Sequence, residues 1–213
     1  MAAQQPAAGM QPLRDGVGKV FIHFTMSLDG FIADAEGRVD WAFGFGRLSP
    51  QEVREITASI GAALGGRRGY DLGVMRGEAK LYGGAWSGPQ FVLTHRPGAP
   101  AGPPVSFLSG SVREAVETAR AAAGGKDVVV VGASIAQQCL TEGLVDEILI
   151  HLVPVLLGGG IPLFGSRDSG PITLEKLSLA ESGSVTSLRF KVLRQHQHPA
   201  APARSDSPGN RKE

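Results

Sequence analysis

The sequence predicts an α/β fold from three observations: a strand–helix–strand unit, two further helix-start signals and a C-terminal pair of strands. In the strand–helix–strand unit, residues 128–131 are four consecutive valines, as expected for a strand covered on both faces. A helix is predicted from Ser134, because Ser134 and Gln137 have the spacing of a capping box. Residues 147–153 predict the second strand. The start of such a helix favours an anion, usually a nucleotide pyrophosphate, although most such junctions bind nothing.

The chain begins with a predicted strand and a polar loop. Alternating apolar residues at 19–25 predict the strand, which contains His23. The loop, at 26–41, leaves the strand end and is a candidate for the edge of a binding site. A helix is then predicted after Ser49, which forms a capping box with Glu52.

Two adjacent arginines mark the next junction. A short strand is predicted at 62–65, and Arg67 and Arg68 follow it where a helix begins. Arginine matches phosphate oxygens, so this is a candidate phosphate site; a solvated basic turn is the alternative. The next strand, 90–94, ends in Thr-His-Arg, where an NAD-binding fold usually carries an acidic residue. If this strand borders the cofactor, Arg96 therefore favours NADP over NAD.

Residues 73–89 contain many glycines and predict a mobile loop, in which Tyr82 and Trp86 are candidates to line a pocket. The remaining predicted elements are a strand at 105–108, a helix opened by a Ser111–Glu114 capping box, and strands at 173–180 and 185–193 joined as a hairpin.

The overall composition predicts one soluble cytoplasmic domain. The chain has 213 residues, a net charge of +1 and a single cysteine, Cys139. These values favour neither nucleic-acid nor membrane binding, and they exclude an internal disulfide framework. Residues 1–17 and 195–213 predict disordered ends around a domain at 18–194. No metal site is predicted.

Five segments in the same order resemble the dihydrofolate reductase superfamily, and most closely the group that contains the reductase domain of riboflavin-biosynthesis deaminase-reductases. The resemblance implies a dihydrofolate-reductase-like fold: a mixed sheet of about eight strands, flanked by helices, that binds NADPH. The segments are TMSLDGFIA (25–33), GRRGYD (66–71), FVLTHRP (91–97), VVVVGASIA (128–136) and GLVDEILIHLVPVLLGGGIPLF (143–164).

The resemblance implies four groups of cofactor contacts. Three of these groups bind phosphate groups of the cofactor, one of them the adenosine 2′-phosphate. The fourth group borders the cofactor or a dimer contact. The groups are Gly66, Arg67 and Arg68 at a helix start; Thr94, His95 and Arg96 at the 2′-phosphate; Gly132, Ala133 and Ser134 at the pyrophosphate; and residues 156–160, including Gly158 and Gly159.

The resemblance also places Ser27, Asp29 and Trp41 near the nicotinamide and substrate, and Tyr82 is our further candidate for substrate contact. Trp41 packs on a flat ligand or closes the core. Asp29 is our first candidate for the catalytic proton donor, although Asp before Gly also shapes turns. Asp40, Tyr82 and an ordered water are alternatives.

These observations predict an NADPH-dependent reductase that transfers hydride to a C=N, C=C or C=O bond of a small, cyclic or conjugated substrate. A riboflavin-pathway reductase of a 5-amino-6-ribosylamino-uracil phosphate is the alternative, and Val130 counts against it because those reductases carry an acidic residue there. A non-catalytic nucleotide-binding dimer is the third possibility. The apolar segment 143–157 predicts pairing across a homodimer.

Overall fold

A mixed β-sheet organises the chain in the computed structural model, which describes residues 18–46, 48–77, 80–96, 104–165 and 170–193. The predicted disordered ends, 1–17 and 195–213, lie outside the described residues. The strands are β1 (Val20–Ser27), β2 (Phe31–Ala33), β3 (Ile60–Gly66), β4 (Gln90–Leu93), β5 (Val105–Leu108), β6 (Asp127–Val131), β7 (Glu147–Val153), β8 (Ile161–Pro162), β9 (Leu174–Ser182) and β10 (Val185–Val192). The helices are α1 (Pro50–Ser59), α2 (Arg67–Met75), α3 (Val112–Ala122) and α4 (Ala133–Thr141), with 3-10 turns at Asp40–Phe45 and Leu81–Gly84.

Eight strands form the main sheet in the order β5-β4-β3-β6-β1-β7-β10-β9. The pairs from β5 through to β7 are parallel, whereas β10 is antiparallel to both β7 and β9. The predicted mixed, helix-flanked sheet of about eight strands is therefore confirmed. A two-stranded ribbon of β2 and β8 lies outside this sheet, and the sequence analysis did not predict it.

The sheet has two different faces. On the first, which we call face A, Ile22 and Val130 pack with residues of α3 and α4 in the larger apolar cluster. On the second, face B, Phe21 and Val129 pack with Ile56 of α1. Successive strand residues alternate between these faces, so the central strands β1, β3 and β6 contribute to both cores.

Two of the predicted helix starts are confirmed in detail. Ser49 and Ser111 each accept a hydrogen bond from the N–H of a glutamate three residues on, and that glutamate bonds back to the serine N–H. Ile60, however, begins β3, although the sequence analysis placed 60–61 before the strand.

The capping box predicted at Ser134 is wrong. Helix α4 begins at Ala133, its N-cap is Gly132, and it has no side-chain cap hydrogen bond. The Gln137 amide instead donates to the carbonyls of Pro162 and Leu163. A contact from a distant segment therefore overrides the local signal.

The segment predicted as a mobile loop, 73–89, contains regular elements and one core residue in its described part. Helix α2 continues to Met75, and a 3-10 turn follows at Leu81–Gly84. Trp86 is 8% exposed, and its indole N–H donates to the Ile60 carbonyl, so its predicted pocket position is wrong and it is a core residue. Within the described ranges, no helix has the length and apolar character needed to cross a bilayer.

Candidate active site

Three junctions that the sequence analysis singled out meet at one edge of the sheet. Strands β4, β3 and β6 are adjacent and parallel, so their carboxyl ends lie side by side. Gly66 pairs with Leu93, and Gly65 pairs with Val131. Because neighbouring strands lie about 4.8 Å apart, the residues that follow these strand ends surround one region.

The helices after β3 and β6 leave on opposite faces of the sheet. Gly69 and Gly73 of α2 lie beside Val131 and Gly65 on face B, whereas α4 packs on face A. Two adjacent parallel strands whose following helices diverge form the crevice in which open α/β sheets bind ligands.

The backbone segments that follow β3 and β6 lie side by side in this crevice. Gly132 has φ +91°, a conformation that favours glycine, and a Cβ built on it would lie 3.8 Å from the Gly66 nitrogen. Neither α2 nor α4 has a side-chain cap, in contrast to α1 and α3. The first N–H groups of both crevice helices are thus not used by a capping side chain, and they can donate hydrogen bonds to an anionic group of a ligand.

The two arginines of α2 differ in their surroundings. Arg67 donates from Nε to Asp71 Oδ1 at 2.7 Å, and its guanidinium lies 5.0 Å from the centre of the Phe107 ring. Arg68 is exposed. Arg67 is therefore held in place by α2 and β5, whereas Arg68 points its charge into solvent near the crevice.

The end of β4 has a short polar turn. Thr94 is 8% exposed, and its Oγ1 accepts a hydrogen bond from the Arg96 N–H at 3.0 Å. His95 and Arg96 are exposed. Thr94 thus shapes the turn that presents the two basic side chains.

A cavity of about 240 Å³ lies between face B and α2. Its walls include Gly65, Val131 and Gly132 from the strand ends, Tyr70 from α2, and Leu81 from the 3-10 turn. Glycines on α2 leave the space open. The cavity has the apolar, concave character of sites for flat rings.

Asp29 joins two loops on the other side of β1. Its carboxylate accepts hydrogen bonds from Ser27 Oγ at 2.6 Å, from the Gly158 N–H at 2.7 Å and from the Leu157 N–H at 3.2 Å. These bonds, with that from Ser27 the strongest influence, lower the pKa of Asp29. At neutral pH the group is an ionised acceptor that fixes the two loops. The hypothesis that it donates the catalytic proton stays a prediction.

The predicted residues thus fall into two groups. Gly66, Thr94 and Gly132 border the crevice, together with their neighbours in sequence. Ser27 and Asp29 lie beside Gly158 and Gly159 at the ends of β1 and β7. Trp41 is half-buried on its 3-10 turn and donates to the Arg38 carbonyl at 3.2 Å.

A row of polar side chains lies on face B, and its connection was not predicted from the sequence. We call it the polar chain: Tyr82, His23, His151 and Ser187. His23 Nδ1 lies 2.8 Å from Tyr82 Oη, the two Nε2 atoms of His23 and His151 are 2.7 Å apart, and His151 Nδ1 lies 2.8 Å from Ser187 Oγ. Burial lowers the pKa of His23 to about 3 and that of His151 to about 4. The available signal was one histidine inside each of two apolar strands.

Comparison with known proteins agrees with this fold. The family model of the RibD C-terminal domain matches residues 18–188. The uncharacterized protein YwjB of Bacillus subtilis (strain 168) is 25% identical over 146 residues, which cover 68% of this chain and 82% of YwjB.

Solved structures share the architecture. A protein of Shewanella sp. PV-4, named provisionally for riboflavin biosynthesis, has a TM-score of 0.71 and 26% identity, covering 83% of this chain and 99% of that one. Dihydrofolate reductase from Enterococcus faecalis has a TM-score of 0.57 and 15% identity, covering 82% of this chain and 96% of that one. The chain therefore belongs to the RibD C-terminal domain family, a family of reductase domains with a dihydrofolate-reductase-like fold.

Proposed function

We propose that the chain is an NADPH-dependent reductase of a small cyclic or conjugated substrate. The observation that carries this proposal is the pair of uncapped helix starts at the crevice between β3 and β6, with basic residues on the neighbouring strand ends. NADPH, when bound, supplies a hydride to an electron-poor double bond.

The residues of the crevice fit the phosphates of this cofactor. Gly132, Ala133 and Ser134 present the first N–H groups of α4 to the pyrophosphate, and Gly66 allows backbone to approach it. Arg67 and Arg68 add positive charge at the start of α2. His95 and Arg96 bind the 2′-phosphate that distinguishes NADPH from NADH.

The loops fixed by Asp29 form the far wall of the site. Asp29 holds Gly158 and Gly159 beside Ser27, so that both loops keep one position when substrate enters. Trp41 and Tyr82 contact the substrate. Accurate placement of two reactants contributes about 7–11 kcal/mol to catalysis, so such a site needs few acid–base groups.

A riboflavin-pathway pyrimidine reductase is the second candidate, because the matching family is that of the RibD C-terminal domain. Turnover of a 5-amino-6-ribosylamino-uracil phosphate would favour it. We further propose a cytoplasmic homodimer. Pairing through the segment 143–157 stays a prediction, but it cannot use the backbone edges of β7. Strand β7 lies between β1 and β10, so its edges are already paired.

The proposal is tested by titration with NADPH and NADH, followed by a screen for NADPH oxidation against candidate acceptors. We expect tighter binding of NADPH. One charge-assisted hydrogen bond is worth about 1.5–3 kcal/mol, so Arg96→Ala should weaken NADPH binding about tenfold or more and leave NADH binding unchanged.

Arg54→Ala is the matched control, because Arg54 is an exposed arginine on α1, away from the crevice. It should leave both affinities unchanged. Equal affinity for the two cofactors in the wild type, or a preference for NADPH that survives in Arg96→Ala, would contradict the 2′-phosphate assignment.

A further inference from the structure

The polar chain crosses face B from the 3-10 turn to β10. It comprises four side chains joined by three hydrogen bonds of 2.7–2.8 Å, and none of the four belongs to the crevice. Ser187 and Tyr82, at its ends, are half-buried, and His151 is 4% exposed. Buried polar networks are costly unless every member is satisfied, so this arrangement needs an explanation.

The polar chain lies next to residues that line the cavity. Ile22 pairs with Val130, so His23 is level with Val131 on the neighbouring strand and points to the same face. Val131 lines the cavity, and so does Leu81, the residue before Tyr82. Tyr82 and His23 therefore adjoin residues of the cavity wall, while neither side chain lines the cavity itself.

Tyr82 is held in a strained conformation. It has φ +55°, and among the described residues it is the only non-glycine residue with positive φ. The left-handed conformation costs an ordinary residue roughly 1–2 kcal/mol. Such strain persists where the surroundings fix it, and it clusters at functional sites. Here it directs the phenol towards His23.

Both histidines are neutral near pH 7. Burial is the main cause of their low pKa values, and the Arg189 charge on β10 adds to it at His23, whereas Glu52 on α1 opposes it at His151. Tyr82 and Ser187 complete the surroundings, and burial raises the pKa of Tyr82, which keeps it protonated. Because the two neutral rings are hydrogen-bonded between their Nε2 atoms, one of these two atoms must carry a proton and the other must accept it.

Only two arrangements of protons satisfy every bond. In the first, Tyr82 donates to His23, His23 to His151, and His151 to Ser187. In the second, Ser187 donates to His151 Nδ1, His151 Nε2–H to His23 Nε2, and His23 Nδ1–H to Tyr82 Oη. The second arrangement leaves the Tyr82 hydroxyl proton unused within the polar chain, so a ligand beside Tyr82 can accept it.

We propose that the polar chain adopts the second arrangement, so that Tyr82 donates a hydrogen bond to the substrate nitrogen or oxygen that gains negative charge during reduction. Ser187, His151 and His23 are positioning residues that set the direction of this bond. The inference rests on the proposed reductase function. It narrows the substrate to a C=N, a C=O or a C=C conjugated to such a heteroatom.

The first test needs no substrate. In protein labelled with ¹⁵N-histidine at pH 7, ring nitrogen spectra distinguish the tautomers. We expect His23 to be protonated at Nδ1 and His151 at Nε2. The opposite tautomers, or charged rings, would overturn the proposal.

The second test uses the far end of the polar chain. Ser187→Ala removes the donor to His151 Nδ1, so the tautomer of His23 should become mixed although Ser187 does not touch it. Ser178→Ala is the matched control, since Ser178 is an exposed serine on β9 paired with Arg189. If the His23 signals are unchanged in Ser187→Ala, then Ser187 does not set the direction of the hydrogen bonds along the polar chain.

The kinetic test uses an acceptor that the wild type reduces. Loss of one preorganised donor costs about 10²–10³-fold in rate, so Tyr82→Phe should lower kcat by this factor and leave NADPH affinity unchanged. Ser187→Ala should lower kcat less, with KM unchanged. Normal kcat in Tyr82→Phe would overturn the inference alone. No NADPH oxidation by the wild type with any acceptor would instead remove the proposed function, and the inference with it.

Discussion

Mild acid should destabilise this protein through His23 and His151 before most carboxylates take up protons. In the folded protein, burial lowers the pKa of His23 to about 3 and that of His151 to about 4. In the unfolded chain both titrate near 6.5. Between these values the unfolded state binds more protons, so the free energy of unfolding falls as the pH falls through 6.5.

The magnitude follows from the two pKa values. Between pH 7.5 and 5, the linkage relation gives a loss of about 2 kcal/mol for each histidine and about 4 kcal/mol for both. This is a large part of a typical stability of 5–15 kcal/mol. Urea unfolding, followed by tryptophan fluorescence at several pH values in this range, measures it directly.

Variants separate the histidines from other groups. His151→Gln should retain only about half of the pH-dependent loss, because one titrating ring remains. His95→Gln should retain all of it, since His95 is exposed. If His151→Gln loses as much stability between pH 7.5 and 5 as the wild type, His151 is not a neutral buried ring and the reasoning fails.

Three further predictions concern the crevice, the loops and the dimer. Gly132→Ala should lower the free energy of unfolding by roughly 1–2 kcal/mol, because Gly132 has a positive φ. The control Gly143→Ala, at another glycine with positive φ, should lower it by a similar amount. Only Gly132→Ala should weaken NADPH binding in a titration. Asp29→Ala should speed hydrogen exchange of the Gly158 amide, because this amide donates a hydrogen bond to Asp29. If the exchange rate is unchanged but kcat falls strongly, Asp29 acts in catalysis instead. Leu179 is 54% exposed on the edge strand β9, so Leu179→Lys should give a monomer in sedimentation while the wild type is a dimer.

Local signals were enough to predict most elements of this fold. The strand at 147–153 and both capping boxes, at Ser49 and Ser111, agree with the structure because their hydrogen bonds and apolar patterns lie within a few residues. The uncapped start of α4 differs because Gln137 bonds to a segment 25 or 26 residues away.

The crevice was predictable for the same reason. Its residues follow strand ends directly, and parallel strands bring those ends to one edge. The polar chain was not predictable, because His23 and His151 are separated by 128 residues and meet only once the strand order is known. The sequence around a histidine in an apolar strand does not indicate which distant residue it is hydrogen-bonded to.

The strand ends also predict that the crevice and the polar chain serve one elongated ligand. Strand β6 ends at Val131, level with His23, whereas β1 continues for four more residues to Ser27. At about 3.3 Å per residue, this makes a step roughly 13 Å high. Glycine backbone and His23 lie level with its foot, and Asp29 fixes the loops at its top. A compact anion would use only the foot, whereas a dinucleotide with a reacting ring far from its phosphates uses the whole step. Binding of NADPH, but not of inorganic pyrophosphate, should therefore protect both the Gly132 and the Gly158 amides from hydrogen exchange.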